Sequence, residues 1–244
     1  MNIKSFYNYL PNSIRRLIDE KSGKRLFKAL GAIQKDGSLD YKLYWDKHYL
    51  SGGDSGAGSF GAYSSWKADI VNHVVSTYQV STVLEFGCGD GNQLLKFQIP
   101  EYRGLDVSSS AVDSCKEVFK SDKSKSFQVI RPDSDLDVSP AQLVMSLEVL
   151  MHITSEADYL WTLKNIFESS KKFVLIQAPL FEYRLFPKHS HEKYRDIFRY
   201  LIDYLDRWSI IGLFVHPSVS TADRRKNVIG EMSSDFILLQ KRGQ

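Results

Sequence analysis

The residues of this chain best placed to do chemistry together are two carboxylates and a set of alternate glycines. The run Val83-Leu84-Glu85-Phe86-Gly87-Cys88-Gly89-Asp90-Gly91-Asn92-Gln93-Leu94 carries an apolar stretch into a carboxylate and a tight turn. At the mouth of a sheet such a turn cradles a ligand, because glycine tolerates φ > 0 and lets backbone N–H groups approach closely. A second apolar stretch ends on Asp106, 19 residues after Gly87.

Two cofactor classes compete for this arrangement. A dinucleotide site wants G-x-G-x-x-G, with a pyrophosphate on the helix N-terminus. Here Asn92 takes the place of the third glycine, and Glu85 would face the pyrophosphate with like charge. A zwitterionic or cationic adenosyl ligand fits better, since its amino group meets Glu85. Asp106 at a strand end is placed to accept both ribose hydroxyls. Capping of the following helix falls instead to Ser108 or Ser109.

The elements that must position these groups follow from the pattern. Helix is expected over Ala62 to Tyr78, and a short one from Asn92 that ends before Pro100. Strands are expected at Thr82–Phe86, Tyr102–Val107, Ser126–Ile130, Ala141–Leu147 and Lys172–Ala178. Helices through Phe119 and over Glu156–Ser169 separate the later strands, so parallel β-α-β units result. The alternation then breaks. A helix over His191–Arg207 leads to two apolar strands, Trp208–Val215 and Asp235–Lys241, joined by a charged loop from Pro217 to Ser234. An antiparallel pair completing the sheet is the expectation.

Ahead of this unit, the stretch Ser51 to Gly61 holds five glycines in the ten residues from Gly52 and cannot form a regular element. Flanked by aromatic-rich and helical segments, it reads as a lid over residues 51–61. Residues 1–40 read as an N-terminal helical extension, and 41–244 as the main domain. Within the extension, Asn12 to Ala32 is basic and amphipathic. A docking helix with a solvated face is the plainer reading, and peripheral membrane contact is the alternative.

Composition excludes several classes. With 43% hydrophobic and 25% charged residues in 244, the chain is globular rather than disordered. A net charge of +3 is too small to argue for nucleic acid. No run reaches the roughly 18 apolar residues of a membrane span. Two cysteines, Cys88 and Cys115, form no disulfide framework or zinc spacing. A cytoplasmic, reducing setting is expected.

The motif Glu85-Phe86-Gly87-Cys88-Gly89-Asp90-Gly91, Asp106 and the run Ser146-Leu147-Glu148-Val149-Leu150-Met151-His152 resemble the class I S-adenosylmethionine-dependent methyltransferases, over roughly residues 62–241. That resemblance implies an α/β, Rossmann-like three-layer sandwich with a mostly parallel seven-stranded sheet whose last strand is antiparallel. It implies S-adenosyl-L-methionine as cofactor and S-adenosyl-L-homocysteine as product. Glu85, Gly87, Cys88 and Gly89 would line the methionine end, and Asp106 would take the ribose with Val107 near the adenine. Asp133 or Ser134 would meet the adenine amino group, and Ser146, Leu147 and Glu148 would face the methyl and the acceptor. The lead-in from Tyr44 to Gly61 is also similar to methyltransferases of bacterial surface-polysaccharide gene clusters.

Transfer to a hydroxyl needs positioning, water exclusion and a base. The base candidates are His152, His189, His191 and Glu148. With Asp or Glu partners His189 and His191 could bind a divalent metal, but no ligand spacing is diagnostic and no metal is expected. Arg184, Lys188, Lys193 and Arg195 make the same segment basic, which favours an anionic saccharide or other small acceptor. Ser146-Leu147-Glu148-Val149 lacks the N/D-P-P-Y/F-type pattern of amino-group methylation of bases. The competing readings are N-methylation of another metabolite or nucleic acid, and a non-catalytic adenosyl-binding module. Acceptor and oligomeric state are not legible.

Overall fold

A computed structural model describes residues 32–34, 38–180, 191–216 and 234–243. The proposed helix at 12–32 lies outside the described residues except for Ala32, as do His189 and most of the loop after Pro217. Of the extension, a single antiparallel bridge, Ile33 to Leu39, leads into α1 (Tyr41–Leu50). The order is then α2 (Gly61–Thr77), β1 (Thr82–Phe86), β2 (Glu101–Asp106), α3 (Ser109–Val118), β3 (Lys125–Val129) and β4 (Ala141–Leu147). It continues with α4 (Glu156–Glu168), β5 (Ser170–Ala178), α5 (Ile197–Leu201), β6 (Trp208–Phe214) and β7 (Asp235–Lys241).

The sheet runs β3-β2-β1-β4-β5-β7-β6. Every neighbour pair from β3 to β5 is parallel, and β7 is antiparallel to both β5 and β6. The α/β sandwich with one reversed strand is therefore as the sequence implied. Alternation along the buried strands splits the core in two. Leu84, Val144, Val174, Ile176 and Ile237 face α4 through Tyr159, Leu163 and Ile166. Val83, Leu143, Leu175 and Leu238 face the other way, onto α2 through Ala68, Val71 and Val75. Three layers result. Each fully buried aliphatic side chain contributes about 1.5–3 kcal/mol of transfer free energy.

Two expected helices shrink, for local reasons. After Gln93 only one 3₁₀ turn, Leu94–Lys96, forms. Asn72 of α2 takes the next hydrogen bonds: its Nδ2 donates to the Lys96 carbonyl at 3.0 Å and its Oδ1 accepts the Gln98 N–H at 2.7 Å. The helix expected from His191 begins only at Ile197, where the Asp196 side chain accepts the Phe198 N–H. Before it, Lys193 donates its N–H to the Met151 carbonyl at 2.7 Å, so this stretch docks instead of coiling.

α1 lies across the strand ends because polar residues tie it down on both sides. Asp46 accepts Ser108 Oγ, Ser109 Oγ and the Ser110 N–H at the start of α3, at 2.9, 3.0 and 3.0 Å. Burial pushes the Asp46 pKa up, but these donors outweigh it and hold the carboxyl below its ordinary range. On the other side Tyr41 Oη and Lys42 Nζ both donate to Asp158 Oδ2 of α4.

Candidate functional site

The C-terminal ends of β1, β2 and β4 open into a cavity of about 430 Å³, within the size range of small-molecule sites. This is where an open α/β sheet binds ligands, at the point where the strand order reverses. α1 and the 51–61 loop form its roof.

Glu85 closes the floor at one end. It is buried, and Tyr102 Oη donates to its Oε2 in a short hydrogen bond. Burial raises its pKa to about 7, against the opposing pull of that hydrogen bond and of the Lys67 charge. A cation entering the cavity would favour the ionised form.

Asp106 stands across the glycine turn. Its Oδ2 accepts the Gly89 N–H at 3.0 Å, and its Oδ1 accepts the Ser108 N–H at 2.9 Å. Each oxygen keeps a lone pair for a further donor. Burial nonetheless raises the Asp106 pKa. Ser108, not Asp106, caps α3. Gly89 has φ +56°, and a Cβ there would lie 2.4 Å from Ser55 Oγ and 2.9 Å from Tyr49 Oη. The loop therefore sits directly on the turn.

Asp90 latches that loop. The Ser55 N–H and Oγ donate to its two oxygens at 3.0 and 2.7 Å, and Asn92 Nδ2 donates to the Ser59 carbonyl at 2.7 Å. The loop contributes Asp54, Ser55, Gly58 and Ser59 to the cavity wall.

Glu148 is held in a left-handed conformation, φ +59°, at the end of β4. Tyr63 Oη donates to its Oε1 and Lys67 Nζ to its Oε2, both at 3.1 Å. Gln177 Nε2 in turn donates to Tyr63 Oη at 2.8 Å. With Lys67 only 2% exposed, this is a buried ion pair. Each carboxylate oxygen of Glu148 therefore accepts from one donor of α2.

Also on the cavity, His152 and His191 stack with ring centroids 5.2 Å apart. Tyr44 stacks on His191 at 5.1 Å, and Trp45 meets His152 edge-on at 5.0 Å. Glu192 joins them: ligand atoms of His152, His191 and Glu192 all lie within 4.8 Å of one another.

The cavity brings together Glu85, Gly87, Cys88, Gly89, Asp106, Val107, Leu147, Glu148, His152 and His191. Three sequence-selected residues lie elsewhere. Asp133 and Ser134 are exposed in the turn closed by the Ser134 N–H on the Arg131 carbonyl, and Ile130 and Pro132 line the wall in their place. Ser146 is fully buried within β4 and outside the cavity. Of the basic residues expected near 184–195, Arg184 and Lys188 lie outside the described residues. Lys193 and Arg195 both pair with Glu156, at 3.2 and 3.0 Å. Sequence reasoning did not select Tyr63, Lys67 or Tyr102, whose partners are remote in the chain, and it gave Asp90 and Glu192 no role although both stand beside selected residues.

Neither protein-family models nor curated proteins match the chain. Solved structures do. An N-methyltransferase, NodS from Bradyrhizobium japonicum WM9, with S-adenosyl-L-homocysteine, aligns at TM-score 0.59 and 13% identity, over 89% of this chain and 98% of that one. The chain has the methyltransferase fold. Magnesium protoporphyrin IX methyltransferase from Synechocystis PCC 6803 aligns at TM-score 0.53 and 17% identity, over 94% and 99%. The methyltransferase domain of bacterial CtHen1-C aligns at 0.55 and 18%, over 72% and 97%. At such identities the likeness carries the class I methyltransferase fold, and the chemistry must come from this chain's own residues.

Proposed function

We propose that this chain is an S-adenosylmethionine-dependent methyltransferase acting on a hydroxyl of a small, saccharide-type acceptor. The observation that carries the cofactor is one juxtaposition. Glu85 and Asp106 stand on either side of a glycine turn whose Gly89 amide already binds Asp106, all on one cavity. A carboxylate for an amino group, a carboxylate for a diol and an apolar slot of Val107, Ile130 and Pro132 suit an adenosyl amino acid.

When bound, S-adenosylmethionine supplies an electrophilic methyl carried on a sulfonium. Glu85 draws the ligand's ammonium, and Asp106 orients the ribose by two charge-assisted hydrogen bonds of about 1.5–3 kcal/mol each. The 51–61 loop, latched on Asp90, acts as a lid that excludes water. Lys67 and Tyr63 fix Glu148 as part of the wall. His152 and His191 stand at the acceptor end, where the acceptor hydroxyl loses its proton.

The saccharide reading is supported by the aromatic residues Tyr44, Trp45 and Tyr49 in the cavity lining, a class of side chain that suits a sugar ring. Its test is methyl transfer from labelled S-adenosylmethionine to a panel of monosaccharides, nucleotide sugars, amines and RNA. Label on a sugar hydroxyl supports the reading. Label only on amines or RNA replaces it.

A further inference from the structure

We propose that His152, His191 and Glu192 form a divalent metal site at the acceptor end of the cavity, selective for a borderline transition ion such as manganese, cobalt or zinc. In the sequence these histidines could bind a divalent ion with Asp or Glu partners, but no ligand spacing there is diagnostic. The fold supplies what spacing lacks, by bringing a residue of the turn after β4 against two residues 39 and 40 positions later.

Geometry comes first. The three ligand atoms lie within 4.8 Å of one another. Two ligands on opposite sides of an ion at about 2.1 Å each stand about 4.2 Å apart, so a small side-chain adjustment closes the set. Two imidazoles and one carboxylate are a borderline nitrogen-oxygen donor set, which suits manganese, iron, cobalt or zinc better than calcium or magnesium.

The supports are already built. The Lys193 N–H bonds the Met151 carbonyl at 2.7 Å, and Arg195 Nη1 bonds the Ile153 carbonyl at 2.9 Å. These bonds pin the segment bearing His191 and Glu192 to the segment bearing His152. Tyr194 Oη donates to Glu192 Oε2 at 3.0 Å, the kind of outer hydrogen bond that orients a ligating carboxylate. Tyr44 and Trp45 wall the two rings and restrict their rotation. Preorganisation of this sort is what a metal site requires beyond its donors.

Three protein ligands leave positions open, and all three residues line the cavity. An acceptor hydroxyl entering there would be polarised and its pKa lowered, so that its proton would pass to water in the cavity while the ion holds the alkoxide. That consequence rests on the methyl-transfer reading. The binding of the ion does not.

The experiment uses the full chain, stripped with a chelator and titrated with cobalt(II) and, separately, manganese(II). Visible absorption and paramagnetic resonance are the readouts, and S-adenosylhomocysteine binding is measured on the same samples. One ion per chain is expected, with His191→Ala and Glu192→Gln each weakening it by about ten-fold or more. Retained S-adenosylhomocysteine binding shows that the variants are folded. Two results overturn the site: no ion bound by the wild type at millimolar metal, or unchanged affinity in both variants. Metal binding without S-adenosylhomocysteine binding would uphold the site and remove the methyl-transfer reading instead.

Discussion

The Gly89 amide donates to Asp106 Oδ2 at 3.0 Å, so the glycine turn after β1 and the carboxylate at the end of β2 form one unit. The turn holds the carboxylate in place, and the carboxylate fixes the turn in its left-handed conformation. A ligand meeting one of them meets both.

Asp106→Ala is expected to weaken S-adenosylhomocysteine binding by about 3 kcal/mol or more, through loss of two charge-assisted hydrogen bonds. Isothermal calorimetry measures it, with circular dichroism to confirm folding. An unchanged dissociation constant would remove Asp106 from the site.

Glu85 has a folded pKa raised to about 7, chiefly by burial. The carboxyl therefore binds its proton more tightly folded than unfolded. Its contribution to stability is present below the ordinary carboxylate pKa and is lost as pH rises through about 7. Bound ammonium reverses the preference, so affinity for S-adenosylhomocysteine should rise as pH climbs from about 6 through about 7. Glu85→Gln should flatten that rise. A wild-type affinity independent of pH in this window contradicts the assignment.

Lys67→Met leaves Glu148 partly buried without its cation. Breaking a buried pair in this way costs about 3–5 kcal/mol, a loss readable in urea melts. A melt superimposable on the wild type would show that the pair contributes nothing.

The loop over the turn depends on Asp90. Asp90→Asn should speed proteolysis within residues 51–61, and S-adenosylhomocysteine should slow it in the wild type. Equal cleavage with and without ligand would count against a lid.

The fold was legible because its signals are local and repeated. The Val83–Phe86 and Ala141–Leu147 runs, the Ser108 and Ser155 caps and the glycine turn each specify their own element. The grouping of Glu85, Gly89 and Asp106 on one cavity was legible for the same reason, since they sit on β1, in the turn after it and on β2. The surroundings of Glu148 and His152 were not. Glu148 meets Lys67 from 81 positions away, and the ring stack of His152 on His191 depends on a segment that docks where helical periodicity suggested coiling. Ser134 and Ser146 lie off the cavity for a subtler reason. A one-residue change of facing moves a strand or turn side chain from cavity to solvent or core.

The most direct test of the central claim is calorimetric titration of the wild-type chain with S-adenosylhomocysteine. One ligand per chain is expected, with affinity lost in Asp106→Ala and lowered in Glu85→Gln. No heat of binding at millimolar ligand would contradict the account.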